Sequence, residues 1–280
     1  MFEEKVKEKI VSFVSLQARS IDEIAKHIGR NWRTANRYVD RIAAEGIIAV
    51  KVFREGTRGA LKIAYLTALT PRFSIFQNEL YDKIKLGRVK SDFSPFDIWQ
   101  YVKGRKEAFL EQQEDESKLA LNKDLFELLK SAKKEVLIFS GNLSWANLEV
   151  GKAKIIDMFE ELAKRKVSIS IITRVDFPAL ANIKKVMSIN HKLGKEVIKI
   201  KHREQPLRAV IVDDKIARLK EIKDPKDYRK GELEKKTYIF YNIYDKEWVG
   251  WLKKVFWDMF FASIDAGKRL SEIEGVTRLG

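Results

Sequence analysis

The sequence predicts two domains, a small α+β domain at the N-terminus and a larger α/β domain after it. The length of 280 residues is enough for two separate cores. Residues 1–70 combine helical repeats with the pattern of a β-hairpin. From about residue 96 onward, buried-strand patterns alternate with helical ones, which is typical of a sheet covered on its faces by helices.

Two helices joined by a tight turn are predicted between residues 20 and 45. Ser20 and Glu23 have the spacing of a capping box, in which the serine caps free N–H groups and the glutamate reaches back. Gly29 permits the positive φ of a tight turn. The second helix is expected over Trp32–Glu45, and three of its residues form a stripe that faces a core: Ala35, Val39 and Ile42.

Basic residues occupy another face of this second helix. Arginine and asparagine side chains can bond base edges bidentately, and arginine also binds phosphates, so the pattern suits a DNA groove. The alternative is a solvated charged face. The predicted contacts from this helix and its entrance are Arg30, Asn31, Arg33, Thr34, Asn36, Arg37 and Arg41.

A basic hairpin is predicted directly after the two helices. Ile47–Phe53 and Ala60–Leu66 read as strands, and the turn between them contains two glycines. With the amphipathic helix over Phe2–Val14, this order makes a winged helix-turn-helix. An ordinary basic hairpin is the alternative. The hairpin residues expected to touch the DNA backbone or minor groove are Lys51, Arg54, Arg58 and Lys62.

The charge of the chain indicates a polyanionic partner. The net charge is +15 and the pI is near 9.7, which favours nucleic acid. Residues 1–70 contain 13 basic against 8 acidic residues, and residues 181–236 contain 17 against 9, so both halves contribute. We expect double-stranded DNA as the partner.

Composition argues against several other classes. With no cysteine and three scattered histidines, neither a disulfide framework, a metal site nor a cofactor is expected. Glycine-rich nucleotide loops are not found in the sequence. No run of 18 apolar residues and no signal-peptide pattern is found, so we expect a cytoplasmic, chromosome-associated protein without membrane contact.

The remaining chain is divided into a connector, a second domain and a tail. Residues 71–95 form the connector, whose apolar repeat from Phe73 to Leu86 either pairs with its copy in a dimer or packs on its own domain. Residues 96–262 form the second domain, and residues 263–280 a C-terminal tail. A strand is expected over Phe96–Val102 and a long helix from about Lys106 to Lys134, with a kink or loop as the alternative for the strongly polar residues Glu111–Lys118. Later strands are expected at 135–140, 167–173, 197–201, 209–212, 215–219 and 237–241, and helices at 155–165, 179–194 and 246–261.

The second domain resembles a known family. Trp99–Arg105 and Ser131–Ile138 are similar to the start of the middle domain of archaeal TrmB-like transcription regulators. The resemblance covers roughly residues 5–262. It implies a winged helix joined to a phospholipase-D-like domain. Longer members carry a further sugar-binding region, which we expect to be missing from this chain. Shorter members include abundant chromatin proteins that coat double-stranded DNA and repress transcription.

The resemblance also implies a motif that this chain does not keep. Active phospholipase-D-like enzymes need H-x-K-x4-D, with the histidine as nucleophile. Here Pro206 and Arg208 stand at the first two positions, Asp213 stands at the last, and His202 is four residues too early. We therefore expect a degenerate phospholipase-D-like fold and no enzyme activity. The pair Asp213-Asp214 is interpreted as a plain turn rather than a cation site, and the aromatic residues around Trp251 and Trp257 as core rather than a ligand pocket.

Together these patterns predict a DNA-binding protein, a homodimer or higher homo-oligomer, that acts as an abundant chromatin protein and global repressor with low sequence specificity. The alternative is a sequence-specific, metabolite-responsive regulator of a local operon, so a small-molecule effector stays open. A phosphodiesterase or nuclease is a third possibility, and an intact histidine motif would have distinguished it.

Overall fold

The computed structural model describes residues 2–54, 60–66 and 74–277. The chain divides into two compact units: unit 1 comprises residues 1–75 and 257–262, and unit 2 comprises residues 76–256 and 263–280. Two predicted positions, Phe73 and Arg58, lie outside the described residues, and of Arg54 only the backbone is described.

Unit 1 consists of three helices and a three-stranded antiparallel sheet. Its elements are α1 (Phe2–Leu16), β1 (Arg19–Ser20), α2 (Ile21–Ile28), α3 (Trp32–Ala44), β2 (Ile48–Arg54) and β3 (Ala60–Leu66). The sheet order is β1-β3-β2, and β2 and β3 pair over their full lengths from Ile48↔Leu66 to Arg54↔Ala60. These bounds lie within two residues of those predicted for the helices and the hairpin.

The core of unit 1 forms because each helix carries apolar residues at helical spacing. Ile10 of α1, Ile24 of α2 and Val39 of α3 are fully buried in one cluster. Ile48 of β2 and Ala64 of β3 close the cluster from the sheet. The predicted stripe of Ala35, Val39 and Ile42 therefore faces the core.

Unit 2 is a mixed α/β domain around one large sheet. Its elements are α4 (Ile75–Leu86), α5 (Phe96–Trp99), β4 (Lys106–Gln112), α6 (Asn122–Lys130), β5 (Glu135–Phe139), β6 (Glu149–Val150), β7 (Ala153–Lys154), α7 (Ile155–Lys164), β8 (Ser168–Thr173), α8 (Leu180–Leu193), β9 (Ile198–His202), β10 (Ala209–Val212), β11 (Ile216–Lys223), β12 (Thr237–Ile243), α9 (Lys246–Phe261), β13 (Ile264–Asp265) and α10 (Ala266–Thr277). Within this list α4 begins one residue before unit 2, and the end of α9 groups with unit 1.

The large sheet has eight strands in the order β13-β9-β8-β5-β10-β11-β12-β4. β5, β8 and β9 are parallel, and the other pairs are antiparallel. Apolar residues of α6, α7, α8 and α10 pack with Ile138 and Ile171 in one buried cluster on one face. On the other face Phe139 meets Phe256 of α9, with ring centroids 5.1 Å apart. Trp251 is 1% exposed, so it is a core residue as interpreted from the sequence.

Three predictions of secondary structure are wrong. The strand expected over Phe96–Val102 is the short helix α5, which follows Pro95 at its N-cap. The long helix expected from Lys106 is interrupted, because residues 106–112 form β4 and pair along β12, for example Phe109↔Phe240. This long-range pairing overrides the helical preference of its lysine, glutamate and alanine residues. The expected tail contains β13 and α10.

Across the described parts of the chain, the structure contains no helix that is both long enough and apolar enough to cross a membrane.

Candidate nucleic-acid interface

The entry to α3 is fixed by local backbone and cap interactions. Ser20 and Glu23 form the predicted capping box at α2: Glu23 N–H donates to Ser20 Oγ at 3.2 Å, and Ser20 N–H donates to Glu23 Oε2 at 2.8 Å. Gly29 ends α2 with φ of 64°, the left-handed conformation that glycine adopts without a Cβ clash. Asn31 caps α3, since its Oδ1 accepts the N–H of Thr34 at 2.9 Å. Asn31 therefore has a structural role that the sequence analysis did not assign.

The predicted arginines of α3 lie on its outer face. Arg33, Arg37 and Arg41, which we call the arginine ridge, are all exposed. At about 100° per residue they point away from the buried stripe of the same helix. The guanidinium of Arg37 lies 5.9 Å from the ring centroid of Tyr38. The ridge therefore places three positive charges about one helical turn apart. The buried stripe of the same helix packs in the core and holds the ridge in position.

Asn36 lies beside this ridge and is held by two neighbours. Its Nδ2 donates to Asp40 Oδ2 at 2.7 Å, and its Oδ1 accepts from Lys62 Nζ at 2.9 Å. Lys62 Nζ also lies 3.7 Å from Asp40 Oδ1. Both polar atoms of the amide are thus engaged within unit 1. This cluster of Asn36, Asp40 and Lys62 ties α3 to β3 and uses one of the two N–H groups and one of the two lone pairs of the Asn36 amide.

The hairpin residues divide between two faces. Lys62 pairs with Val52 across the strands, and Lys51 pairs with Ile63. Because successive residues of a strand point to opposite faces, Lys51 and Lys62 project from different faces of the hairpin. The structure therefore brings Lys62 to α3 but places exposed Lys51 on the other face. Arg30 and Asn31 directly precede α3, and Thr34 lies in its first turn.

The residues compared above with H-x-K-x4-D take part in the packing and hydrogen bonding of unit 2. Pro206 is buried and packs against Gly87. A Cβ atom at position 87 would lie only 2.8 Å from Pro206 Cγ, so this close approach requires glycine there. Arg208 donates from Nη1 to the carbonyl of Leu207 at 2.8 Å. The Nδ1 of His202 accepts the N–H of Val175 at 2.9 Å, and burial lowers the pKa of this imidazole.

Asp213 lies in the turn between β10 and β11, as expected from the sequence, and its buried carboxylate also binds the backbone of the neighbouring strand. It lies at φ of 51°, and its Oδ1 accepts the N–H groups of Lys134 at 2.8 Å and Glu135 at 3.1 Å. Burial alone would raise the pKa of this carboxyl. The N–H groups of Glu135, Lys134 and Lys133 outweigh that effect, and the pKa lies below its ordinary value. Among the described residues, no group of three or more histidine, aspartate or glutamate side chains is arranged to hold a metal ion.

Comparisons with known proteins give likenesses to solved structures only. No family model matches the chain, and no curated protein matches it. NucT from Helicobacter pylori is 19% identical with a TM-score of 0.41, covering 57% of this chain and 99% of its own. Nuc from Salmonella typhimurium, a phospholipase D family member, is 11% identical with a TM-score of 0.40, covering 57% and 98%. TrmBL2, an archaeal chromatin protein whose structure shows a mode of DNA binding, is 14% identical with a TM-score of 0.41, covering 92% of both chains. At these values the likenesses assign neither a family nor a function.

The sequence-based prediction that the chain is not an enzyme is wrong. The solved structures it is similar to include a member of the phospholipase D family, which is named for an enzyme. Proline at position 206 removes one nucleophile at one position, and that observation cannot decide the class of the whole chain.

Proposed function

We propose that unit 1 is a winged helix that binds double-stranded DNA, with α3 as its recognition helix. The observation that carries this proposal is the arginine ridge. Its three side chains are exposed on a helix whose opposite side is buried, and the Gly29 turn and the Asn31 cap fix the start of that helix. A helix of this kind fits the major groove of B-DNA. The net charge of +15 adds a favourable interaction with phosphates.

The same surface supports low sequence specificity. Arginine binds guanine edges and phosphates alike, whereas asparagine reads adenine with both atoms of its amide. In this chain both amide atoms of Asn36 are bonded to Asp40 and Lys62. We therefore favour a protein that covers DNA through phosphates, as a chromatin protein and global repressor on the chromosome does. The alternative, a regulator of one operon that responds to a metabolite, is favoured by a pocket within unit 2.

We further propose that the protein acts as a homodimer in which α4 takes part. α4 buries Leu80 and Ile84 within the chain, which uses part of its apolar repeat. Leu86 at its end is 79% exposed, and nearby Val89 is 47% exposed. Exposed apolar residues that lie close together are typical of a contact surface.

Band shifts of the full chain on a random-sequence duplex test the proposed DNA binding. Arg33→Ala and Arg37→Ala should each weaken binding, and Lys26→Ala serves as the matched control. Lys26 is exposed on α2, outside the ridge, and pairs with Asp22 at 2.7 Å. Equal binding by the ridge variants and the wild type would place the DNA surface elsewhere on the chain.

A further inference from the structure

A pocket lies within unit 2 between the large sheet and the helices on one of its faces. Its interior offers about 80 Å³ to the centres of water-sized molecules. This is more space than a single ordered water needs, so the pocket can hold a small ligand.

Most of this pocket is apolar. Leu125 and Leu129 of α6 and Ile155 and Phe159 of α7 line it. Trp145 also lines the pocket, stacks on Phe159 with ring centroids 4.7 Å apart, and donates its Nε1–H to a serine hydroxyl at 3.1 Å. Because the one polar atom of the indole is already satisfied, this wall offers a ligand only apolar contacts.

One end of the pocket is cationic, and the sheet register explains why. Val210 of β10 pairs with Arg218 of β11 and with Ile138 of β5, so these three side chains share one face of the sheet. The N–H of Lys220 donates to the carbonyl of Arg208 at 2.7 Å, which continues the same register by two residues. Arg208, Arg218 and Lys220 therefore all line the pocket.

Arg218 is incompletely paired although it is buried. The residue is 6% exposed, its Nε donates to Asn242 Oδ1 at 2.8 Å, and its Nη2 lies 3.7 Å from Asp124 Oδ2. Its Nη1 is buried and has no hydrogen-bond partner in the structure. A buried donor left unbonded is unfavourable, and more so when it carries charge. An acceptor inside the pocket would satisfy it.

The charges around this end leave an excess of one positive charge. Lys220 forms an ion pair with Glu116, and Asp124 lies beside Arg218. Arg208 is the third cation, and its guanidinium donates to the backbone carbonyls of Gln205 and Leu207. Burial lowers the pKa of both arginines, Arg174 adds to the effect at Arg208, and nearby carboxylates oppose it. Both guanidinium groups remain charged at neutral pH, so a single negative charge would complete the site.

We propose that this pocket binds a small amphipathic monoanion, a carboxylate carrying a short apolar chain or ring. The apolar body lies between α6, α7 and Trp145, and the carboxylate accepts hydrogen bonds from Arg218 and Arg208. A phosphate dianion fits less well, because its second charge has no free cation to balance it at a site of low dielectric. The inference does not depend on DNA binding, and it is tested without DNA.

Calorimetric titration of the full chain, followed in parallel by tryptophan fluorescence, tests the site. Hexanoate and benzoate should bind saturably with a dissociation constant on the order of 1 mM or tighter, as expected for ligands of this size. Hexanol has the same body without the charge, and hexyl phosphate carries the larger charge; both should bind more weakly. Failure of hexanoate and benzoate to saturate would overturn the proposal, as would hexanol or hexyl phosphate binding as tightly as hexanoate.

Three variants locate the binding, each checked first for cooperative thermal unfolding. Arg218→Met and Arg208→Gln should each weaken hexanoate binding by about tenfold or more. Leu125→Trp should abolish binding by filling the pocket while leaving both arginines in place. The matched control is Arg105→Gln, because the Arg105 side chain lies in unit 2, is 70% exposed and is outside the pocket. This control variant should bind hexanoate as tightly as the wild type. If Arg218→Met does not fold, Arg208→Gln and Leu125→Trp decide. Wild-type affinity in every folded pocket variant would contradict the assigned site.

Discussion

Asn36 shows how one residue can match a DNA-reading pattern and still have another role. Its position beside the arginine ridge fits base contact, yet its amide joins α3 to β3 through Asp40 and Lys62. The i, i+4 spacing of Asn36 and Asp40 could be read from the sequence. Lys62 could not, because it follows Asn36 by 26 positions and reaches it only through the folded hairpin.

Asn36→Ala therefore tests whether this residue is structural. We expect it to lower the free energy of unfolding by about 0.5–1.5 kcal/mol, the usual net value of such hydrogen bonds. Binding to duplexes of different sequence should change by similar factors. Chemical denaturation and competition band shifts measure the two effects. A selective loss of binding to adenine-containing sites, with unchanged stability, would restore the base-reading role.

Asp213 gives a pH-dependent prediction at the residue scale. Because its pKa is depressed in the folded chain, its contribution is present above the ordinary aspartate value of 3.8 and is lost as pH falls through the folded pKa. Asp213→Asn keeps a side chain that tolerates the left-handed backbone while removing the charge. At pH 7 it should cost about 1–3 kcal/mol.

Denaturation of the Asp213→Asn variant and of the wild type across pH checks this expectation. The difference between the two proteins should shrink as the solution is acidified below the ordinary aspartate pKa. Asp82→Asn is the control, because Asp82 is an exposed carboxylate of α4 that takes no part in the hydrogen bonds of Asp213. A difference that stays constant with pH would exclude a role for the charge of Asp213.

At the scale of elements, the parts that could be predicted are those whose signals are local. Ser20, Gly29 and Gly46 mark helix ends in the sequence, and both glycines have positive φ in the structure. The sequence did not predict β4 because its partner strand is distant in the chain. Gln112 of β4 pairs with Thr237 of β12, and no residue near position 112 indicates this pairing. α5 was missed because four residues rich in aromatic and β-branched types resemble a strand.

The cationic pocket illustrates the same limit for a site. Arg218 and Lys220 alternate with apolar residues along β11, which is an ordinary strand pattern in the sequence. The pocket exists only because the sheet places them beside Arg208 and α6 covers them. The arginine ridge, in contrast, lies on a single helix and could be predicted from spacing alone.

The exposed end of α4 gives a prediction about assembly. Leu86→Glu should shift the protein from dimer toward monomer, because a carboxylate is costly to bury in an apolar contact. Leu86 is 79% exposed in the single chain, so the variant should fold normally. Light scattering at several concentrations measures the mass. Lys83→Glu, at an exposed site on the same helix, is the control for added negative charge. A wild type that is monomeric at micromolar concentration would contradict the proposed dimer.

For the whole molecule, the distribution of charge decides between the two proposed functions. The +15 net charge extends over both halves of the sequence, beyond what one recognition helix needs. A protein that covers DNA draws its affinity mainly from phosphates, whereas an operator-specific regulator gains about 1–3 kcal/mol of discrimination from each good bidentate base contact. The two modes differ in how affinity responds to salt and to sequence.

Salt-dependent binding of the full chain to random and genomic duplexes therefore tests the central claim most directly. If phosphates dominate, log affinity falls with log salt at about −0.9 for each phosphate neutralised, and all duplexes share a steep slope. Arg33→Ala and Arg37→Ala should each reduce that slope by about one and weaken all duplexes alike. The contrary result is a single genomic duplex bound about 10³-fold more tightly than the rest, with a preference that Arg37→Ala abolishes.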